Sequence, residues 1–233
     1  MPLPSALEQV QRESRARLHP SLRNPNWLIL RRRRQIFEAG LDRLPGQGLS
    51  VLDIGGRLQP YRPLLGARTK RYIAVYLQMT PLVSVRAAAE ALPFQDEQFD
   101  FAICTQVFEY LPDPALAVAE IKRVLRQGGV LFLSAPSIFL QENDKEYWRF
   151  LSEGLRHLLQ EFETVEVQPE GNSLTGFFRT CNVFLASFFR PRILAPLWQW
   201  TLVPFLNVVG CVLEKLAGQN DQFTANYSVW ARK

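Results

Sequence analysis

A chain of 233 residues that is 47% hydrophobic and 21% charged has the composition of one large globular domain with a sizeable core, which excludes a wholly disordered chain. Its 27 lysines and arginines against 22 acids leave a moderate net charge of +5. Three cysteines, odd in number and without CxxC spacing, support neither a disulfide framework nor a zinc site, and two histidines leave little room for histidine base catalysis.

Residues 1–25 read as a basic arm, with Pro2, Pro4, Pro20 and Pro25 around a short helical stretch. Before Gln35, Arg12, Arg15, Arg17, Arg23 and the run Arg31 to Arg34 face only Glu8 and Glu13. Such a patch suits anionic lipid head groups or nucleic acid, and equally a solvated helix face. The first residues, MPLPSALEQVQRESR, lack the apolar run of an export signal. With the sparse cysteines, the expected location is cytoplasmic.

From Trp27 to Leu44 the spacing of Leu30, Phe37, Leu41 and Leu44 predicts a helix, which Pro45, Gly46 and Gly48 end. Five short apolar runs come next: LSVLDI, RYIAVYL, LVSVRA, FDFAICT and GVLFLSA. Continuous apolar runs separated by helices indicate a parallel sheet covered on both faces. Before the last run, Asp113 can cap a helix, Pro114 can sit in its first turn, Val118, Ile121 and Leu125 face inward, and Gly128 closes it. A further helix is expected after Ser152, with His157 at its surface, followed by the strand TVEVQP and a last strand in FTANYSVWAR.

Between those two strands, residues 174–217 form an apolar insertion. Ile193 to Leu213 contains no charge, and its roughly 21 residues approach the length that crosses a bilayer. Pro196, Pro204, Gly210, Gln199 and Asn207 argue against a simple span. Arg179, Arg190 and Arg192 precede it, and Trp198 and Trp200 suit a head-group region. Helices lying on a membrane, a helical cap packed on the domain, and a span are the three readings. Contact with a membrane surface is expected through this insertion and the arginine-rich N-terminal region, peripherally on its inner face.

A strand ending in an acid, then a glycine turn and a helix, is a cofactor-binding device, and VLDIGG before YRPLL has that grammar. Downstream of this turn, the succession Leu92-Pro93-Phe94, Phe99-Asp100, Val107 to Tyr110 and Arg123 to Gly129 resembles class I S-adenosylmethionine-dependent methyltransferases of the type 11 group. EYWRFLSEGLRHLL is similar to a segment of bacterial members that accompany glycan or lipid-linked sugar pathways. The resemblance covers residues 26–233. It implies a Rossmann-like α/β fold with a mostly parallel seven-stranded sheet, helices on both faces and the apolar insertion before the last strand.

The resemblance also implies S-adenosylmethionine as cofactor and a glycan, lipid-linked or other small acceptor; nucleic acid is not favoured, because the arginines lack interleaved aromatics. Carried over residue by residue, Asp53, Gly55 and Gly56 match the turn facing the methionine half of the cofactor, and Arg57 replaces a family glycine. Tyr76 stands where an acid usually takes the ribose hydroxyls, and Ala88 where an acid recognises adenine, leaving the backbone at Ala89 or Glu90 for that role. Thr105 ends the fourth strand, and Tyr110 replaces a frequent histidine. Two functions are compatible with these departures: a methyltransferase with an altered pocket, and a catalytically degenerate module that binds or scaffolds. Methyl transfer needs alignment and sometimes a base, for which Glu109, Glu146 and Tyr147 are candidates, each also explicable by capping or packing.

Overall fold

The computed structural model describes residues 5–141, 144–188, 195–218 and 220–233. Seven strands, β1 (Leu49–Ile54), β2 (Thr69–Tyr76), β3 (Val85–Arg86), β4 (Phe99–Thr105), β5 (Leu125–Pro136), β6 (Thr164–Pro169) and β7 (Asn226–Arg232), form one sheet in the order β3-β2-β1-β4-β5-β7-β6. All neighbours are parallel except β7, which runs antiparallel to β5 and β6. Each of the six residues of β1 is buried, as an unbroken apolar run requires when helices cover both faces.

Alternation along the strands separates two cores. On one face Leu52, Ala102 and Leu131 meet the inward side of α4 (Pro114–Val124) and α5 (Ser152–Leu158). On the other, Val51, Phe101, Phe132 and Trp230 meet α2 (Trp27–Ala39) through Phe37. Phe37 stacks on Tyr61 with ring centroids 4.6 Å apart and meets Phe132 edge-on at 5.0 Å, geometries that add to simple area burial.

The N-terminal arm is more ordered than its prolines suggest. α1 (Ala6–Leu18) starts in a reciprocal cap, Ser5 accepting from the Glu8 amide while the Glu8 side chain accepts from the Ser5 amide, and Leu18 enters the aromatic core. α2 stops at Ala39, earlier than the periodicity implies. A Cβ on Gly40 would stand 2.2 Å from the Trp230 ring, so the chain passes this point only as glycine and then makes a short 3-10 turn over Leu41–Arg43. α4 has the expected cap: Asp113 accepts from the amides of Ala115 and Leu116. It ends at Val124, however, and Gly128 (φ +73) turns the chain within the start of β5 instead of closing the helix.

A short α3 (Arg62–Leu65) lies between β1 and β2, and the insertion between β6 and β7 forms α6 (Ser173–Phe188), α7 (Ala195–Trp200) and α8 (Leu202–Leu216). The break expected from the prolines falls at Thr201, and Pro204 sits in the first turn of α8, where a missing amide costs little. Arg190, Arg192 and Ile193 lie outside the described residues. Among the described residues no helix is long and apolar enough to cross a membrane, so the single-helix span expected as one reading is not found there. α6 and α8 lie on α2. Asn182 donates to Asn207 (3.0 Å), Asn207 donates to the carbonyls of Leu22 and Asn24, and Arg179 donates to Asn26 and to the carbonyl of Ile138, just past β5.

Candidate functional site

In an open parallel sheet the ligand-binding edge is where the strands end, and there the glycine turn joins β1 to α3. Gly55 adopts φ +77, and the amides of Gly55 and Gly56 both donate to the Val75 carbonyl of β2, at 2.9 and 3.1 Å. A Cβ on Gly55 would lie 2.2 Å from the Val107 side chain, and one on Gly56 within 3 Å of Asp53 and Ala74. Both positions therefore require glycine, and the turn is held against the segment that leaves β4. Arg57 swings outward to pair with Glu13 of α1 at 3.0 Å, both side chains partly exposed. Gln59 takes a positive φ of 52°, is buried, and bridges Leu82 and Arg62 by hydrogen bonds.

Asp53 lies beneath the turn with its carboxyl accepting from the Tyr72 hydroxyl at 2.6 Å. Burial raises it to about 7, opposed by the Tyr72 hydrogen bond and by Arg62. This acid thus serves an internal pair with Tyr72 at the end of β1. An unfolded aspartate releases its proton at about pH 3.9. Between that point and about pH 7 the folded state holds more protons, so its stability falls as pH rises through the interval. Asp53→Asn, which keeps an acceptor for Tyr72 and removes the buried charge, is expected to raise stability by about 4 kcal/mol at pH 8, with the difference vanishing near pH 4. Urea unfolding midpoints at the two pH values check this.

Tyr76 ends β2 half-buried, its carbonyl accepting from the Ala87 amide at 3.2 Å. Ala88 and Glu90 are half-buried and Ala89 is buried, all three in the segment after β3, where a turn places the Ala91 amide on the Ala88 carbonyl, and Thr105 is half-buried beside Ser134 at the end of β4. The candidate cofactor residues thus lie along the carboxyl ends of β1 to β4. A cleft of about 880 Å³ between α1, α3 and the start of β2 has a basic lining that includes Arg15, Arg62, Lys70 and His19, but none of those candidates.

Of the candidate bases, Glu109 is buried in the turn after β4, and its Oε2 has no hydrogen-bond partner. Burial raises its carboxyl to about 7; Arg33 and Arg149 oppose the shift and Glu146 adds to it. Glu146 is buried in an ion pair with Arg149. Tyr147 is 59% exposed, and its amide donates to the Glu109 carbonyl at 2.7 Å. Glu146 and Tyr147 therefore support the loop around Glu109. Only Glu109 combines burial, a free carboxyl oxygen and a raised proton affinity among the three, a combination frequent at functional sites. His157 is exposed on α5.

The run Arg31 to Arg34, expected as a charge patch, is instead a set of ion pairs. Arg31 and Arg32 pair with Glu214 of α8 at 2.7 and 2.9 Å, and Arg34 pairs with Glu38. Arg33 points into the protein and pairs with Glu170, just after β6, at 2.8 Å, with side chains 5% and 0% exposed. The same Glu170 oxygen accepts from Ser134 of β5 (2.6 Å) and Ser228 of β7 (2.7 Å). This buried cluster closes the carboxyl edge beyond β4. No spacing signal marks it, because its members are scattered along the chain, with Arg33 and Glu170 alone 137 residues apart.

The cofactor that the resemblance implies carries a cationic sulfonium and an ammonium group. The site fits such a group at one point: Glu109 offers an unpartnered buried carboxyl oxygen, while the Arg57 guanidinium is held by Glu13. Residues 65–133 match a family model described as a methyltransferase domain. The chain is 31% identical over 109 residues to an uncharacterized methyltransferase from Mycobacterium sp. (strain JLS), covering 42% of this chain and 43% of that protein. It is 32% identical over 94 residues to a 2-methyl-6-phytyl-1,4-hydroquinone methyltransferase from Oryza sativa subsp. japonica, covering 39% and 27%. The chain thus spans less than half the length of these curated relatives. Among solved structures, the fold is shared with the [4+2]-cyclase SpnF (20% identity, TM-score 0.54, 85% of this chain and 80% of that one). It is also shared with a Haemonchus contortus phosphoethanolamine N-methyltransferase solved with S-adenosylhomocysteine (15% identity, TM-score 0.51, 85% and 52%).

Proposed function

Because this chain carries a methyltransferase domain on the class I S-adenosylmethionine-dependent methyltransferase fold, we propose that it methylates a small acceptor, glycan or lipid-linked, at the carboxyl edge of its sheet. The observation that carries the reading is Glu109, a buried carboxyl with one free oxygen and a proton affinity poised near neutral pH, at the end of β4. When bound, S-adenosylmethionine supplies an electrophilic methyl group. The backbone of Gly55 and Gly56 would hold its methionine half, Tyr76 its ribose, and the backbone at Ala89 and Glu90 its adenine, with Thr105 beside the reacting centre. Glu109 would accept the proton of an acceptor hydroxyl, and a base near the operating pH is the efficient choice for that task.

The neighbour named as a cyclase is a reminder that fold alone does not fix a reaction; the site residues have to be tested. Tyr76 offers one neutral hydrogen bond where a carboxylate makes two stronger ones. Tyr76→Asp is accordingly expected to tighten S-adenosylhomocysteine binding by about 5- to 100-fold, the equivalent of roughly 1–3 kcal/mol. Titration calorimetry of the variant beside the parent protein reads this directly. An unchanged affinity would remove Tyr76 from the ribose site.

A further inference from the structure

We propose that the outer face of the α6–α8 cap docks on an anionic lipid bilayer, with α8 lying in the plane of the membrane surface. This goes beyond methyl transfer and does not depend on it.

The argument is the inverted polarity of the two long cap helices. On α6 a stripe of Thr175, Arg179 and Asn182 is buried, whereas Phe177 and Phe184 stand 51% and 61% exposed. On α8 Val203, Asn207 and Gly210 are buried and Glu214 is tied inward to Arg31 and Arg32, whereas Phe205, Val208, Val212 and Leu216 form the outward stripe. Polar side chains thus face the protein, where Asn182, Asn207 and Arg179 make hydrogen bonds, and large apolar ones face out. A surface helix in water has the opposite arrangement. A contiguous exposed apolar face of this kind marks a partner or a membrane.

Three observations select the bilayer. α8 has 15 residues, about 22 Å at 1.5 Å per residue, too short to cross a hydrocarbon layer of about 30 Å but suited to lying in its interface. Trp200 is 63% exposed at the end of α7 with the Arg23 guanidinium 3.6 Å from its ring centroid, a pairing of residues that favour the head-group region. Finally, the only acid within α6, α7 and α8 is Glu214, and it is turned inward, while Lys215 is exposed. The outward face therefore complements negative head groups.

The test is flotation of the full chain with vesicles of phosphatidylcholine alone and of phosphatidylcholine mixed with phosphatidylglycerol. The chain is expected to float with the mixed vesicles, and Phe205→Glu with Val212→Glu to abolish flotation while circular dichroism stays native, since both positions point outward. Arg23→Gln is expected to weaken binding to mixed vesicles by roughly fivefold and to leave binding to phosphatidylcholine unchanged. If the glutamate variant misfolds, quenching of tryptophan fluorescence by brominated lipid, compared between the parent protein and Trp200→Phe, decides instead; loss of most quenching in the variant is expected. A parent protein that stays with the soluble fraction overturns the proposal, as does a folded glutamate variant that still floats. A lipid-free dimer that the same variant dissociates, without flotation of the parent, would assign the face to a second copy and also overturn it.

Discussion

Replacing Arg33 by alanine is expected to cost about 3–5 kcal/mol of stability, measured from urea unfolding midpoints at neutral pH. The change leaves Glu170 buried among Ser134 and Ser228 without its cation, and an uncompensated buried charge is far more costly than the pair it came from. Replacing both partners together, Arg33→Met with Glu170→Leu, is expected to cost much less than the single change, because the desolvation of both charges disappears with them. The comparison is informative because the pair joins α2 to the ends of β5, β6 and β7. A single-variant loss below about 1 kcal/mol, the size of an exposed ion pair, would mean that water reaches Glu170 and that the carboxyl edge is more open than the structure shows.

Glu109→Gln is expected to lower the rate of methyl transfer by about 10²- to 10⁴-fold, the contribution usual for a positioned base. Folding should not suffer, because the substitution removes a buried carboxyl whose ionisation burial opposes. The sign of the pH dependence separates this role from a structural one. A base must be deprotonated to act, so the parent rate should rise through about pH 7 and level off above it, whereas the residual rate of the variant should be flat across that interval. Equal proportional losses at pH 6 and pH 8 would point to a positional defect instead.

Much of the frame is legible from periodicity alone. The run TVEVQP is β6 residue for residue, and LSVLDI, FDFAICT and GVLFLSA fall in the central strands β1, β4 and β5, because burial on both faces leaves a clear signature, whereas LVSVRA yields only the two-residue edge strand β3. Choices that depend on distant contacts are not legible: the residue after α2 has to be glycine because Trp230, nearly 200 residues away in sequence, occupies the space beside Gly40. The glycine turn after β1 is legible as a turn, where Gly55 satisfies both a dihedral and a close approach and Gly56 a close approach. The basic run misleads for a physical reason. Four consecutive arginines look like a solvated face, but a helix distributes them round its axis, so that Arg33 meets Glu170 while Arg31 and Arg32 meet Glu214. Likewise the acid at Asp53 matches a motif, yet only the fold reveals Tyr72 at 2.6 Å from its carboxyl. In the insertion, Asn207, which argues against a span, is one of the residues that attach the cap to the domain.

The measurement closest to the central claim is titration calorimetry of the full chain with S-adenosylmethionine and S-adenosylhomocysteine, alongside Gly55→Val. The parent protein is expected to bind with a dissociation constant on the order of micromolar, equivalent to about 8 kcal/mol. Gly55→Val should lose that binding, because its side chain would collide with Val107 in a backbone conformation that branched residues avoid. Absence of binding by the folded parent protein up to millimolar ligand would contradict the account, and would leave the glycine turn as an element of the fold with no cofactor to hold.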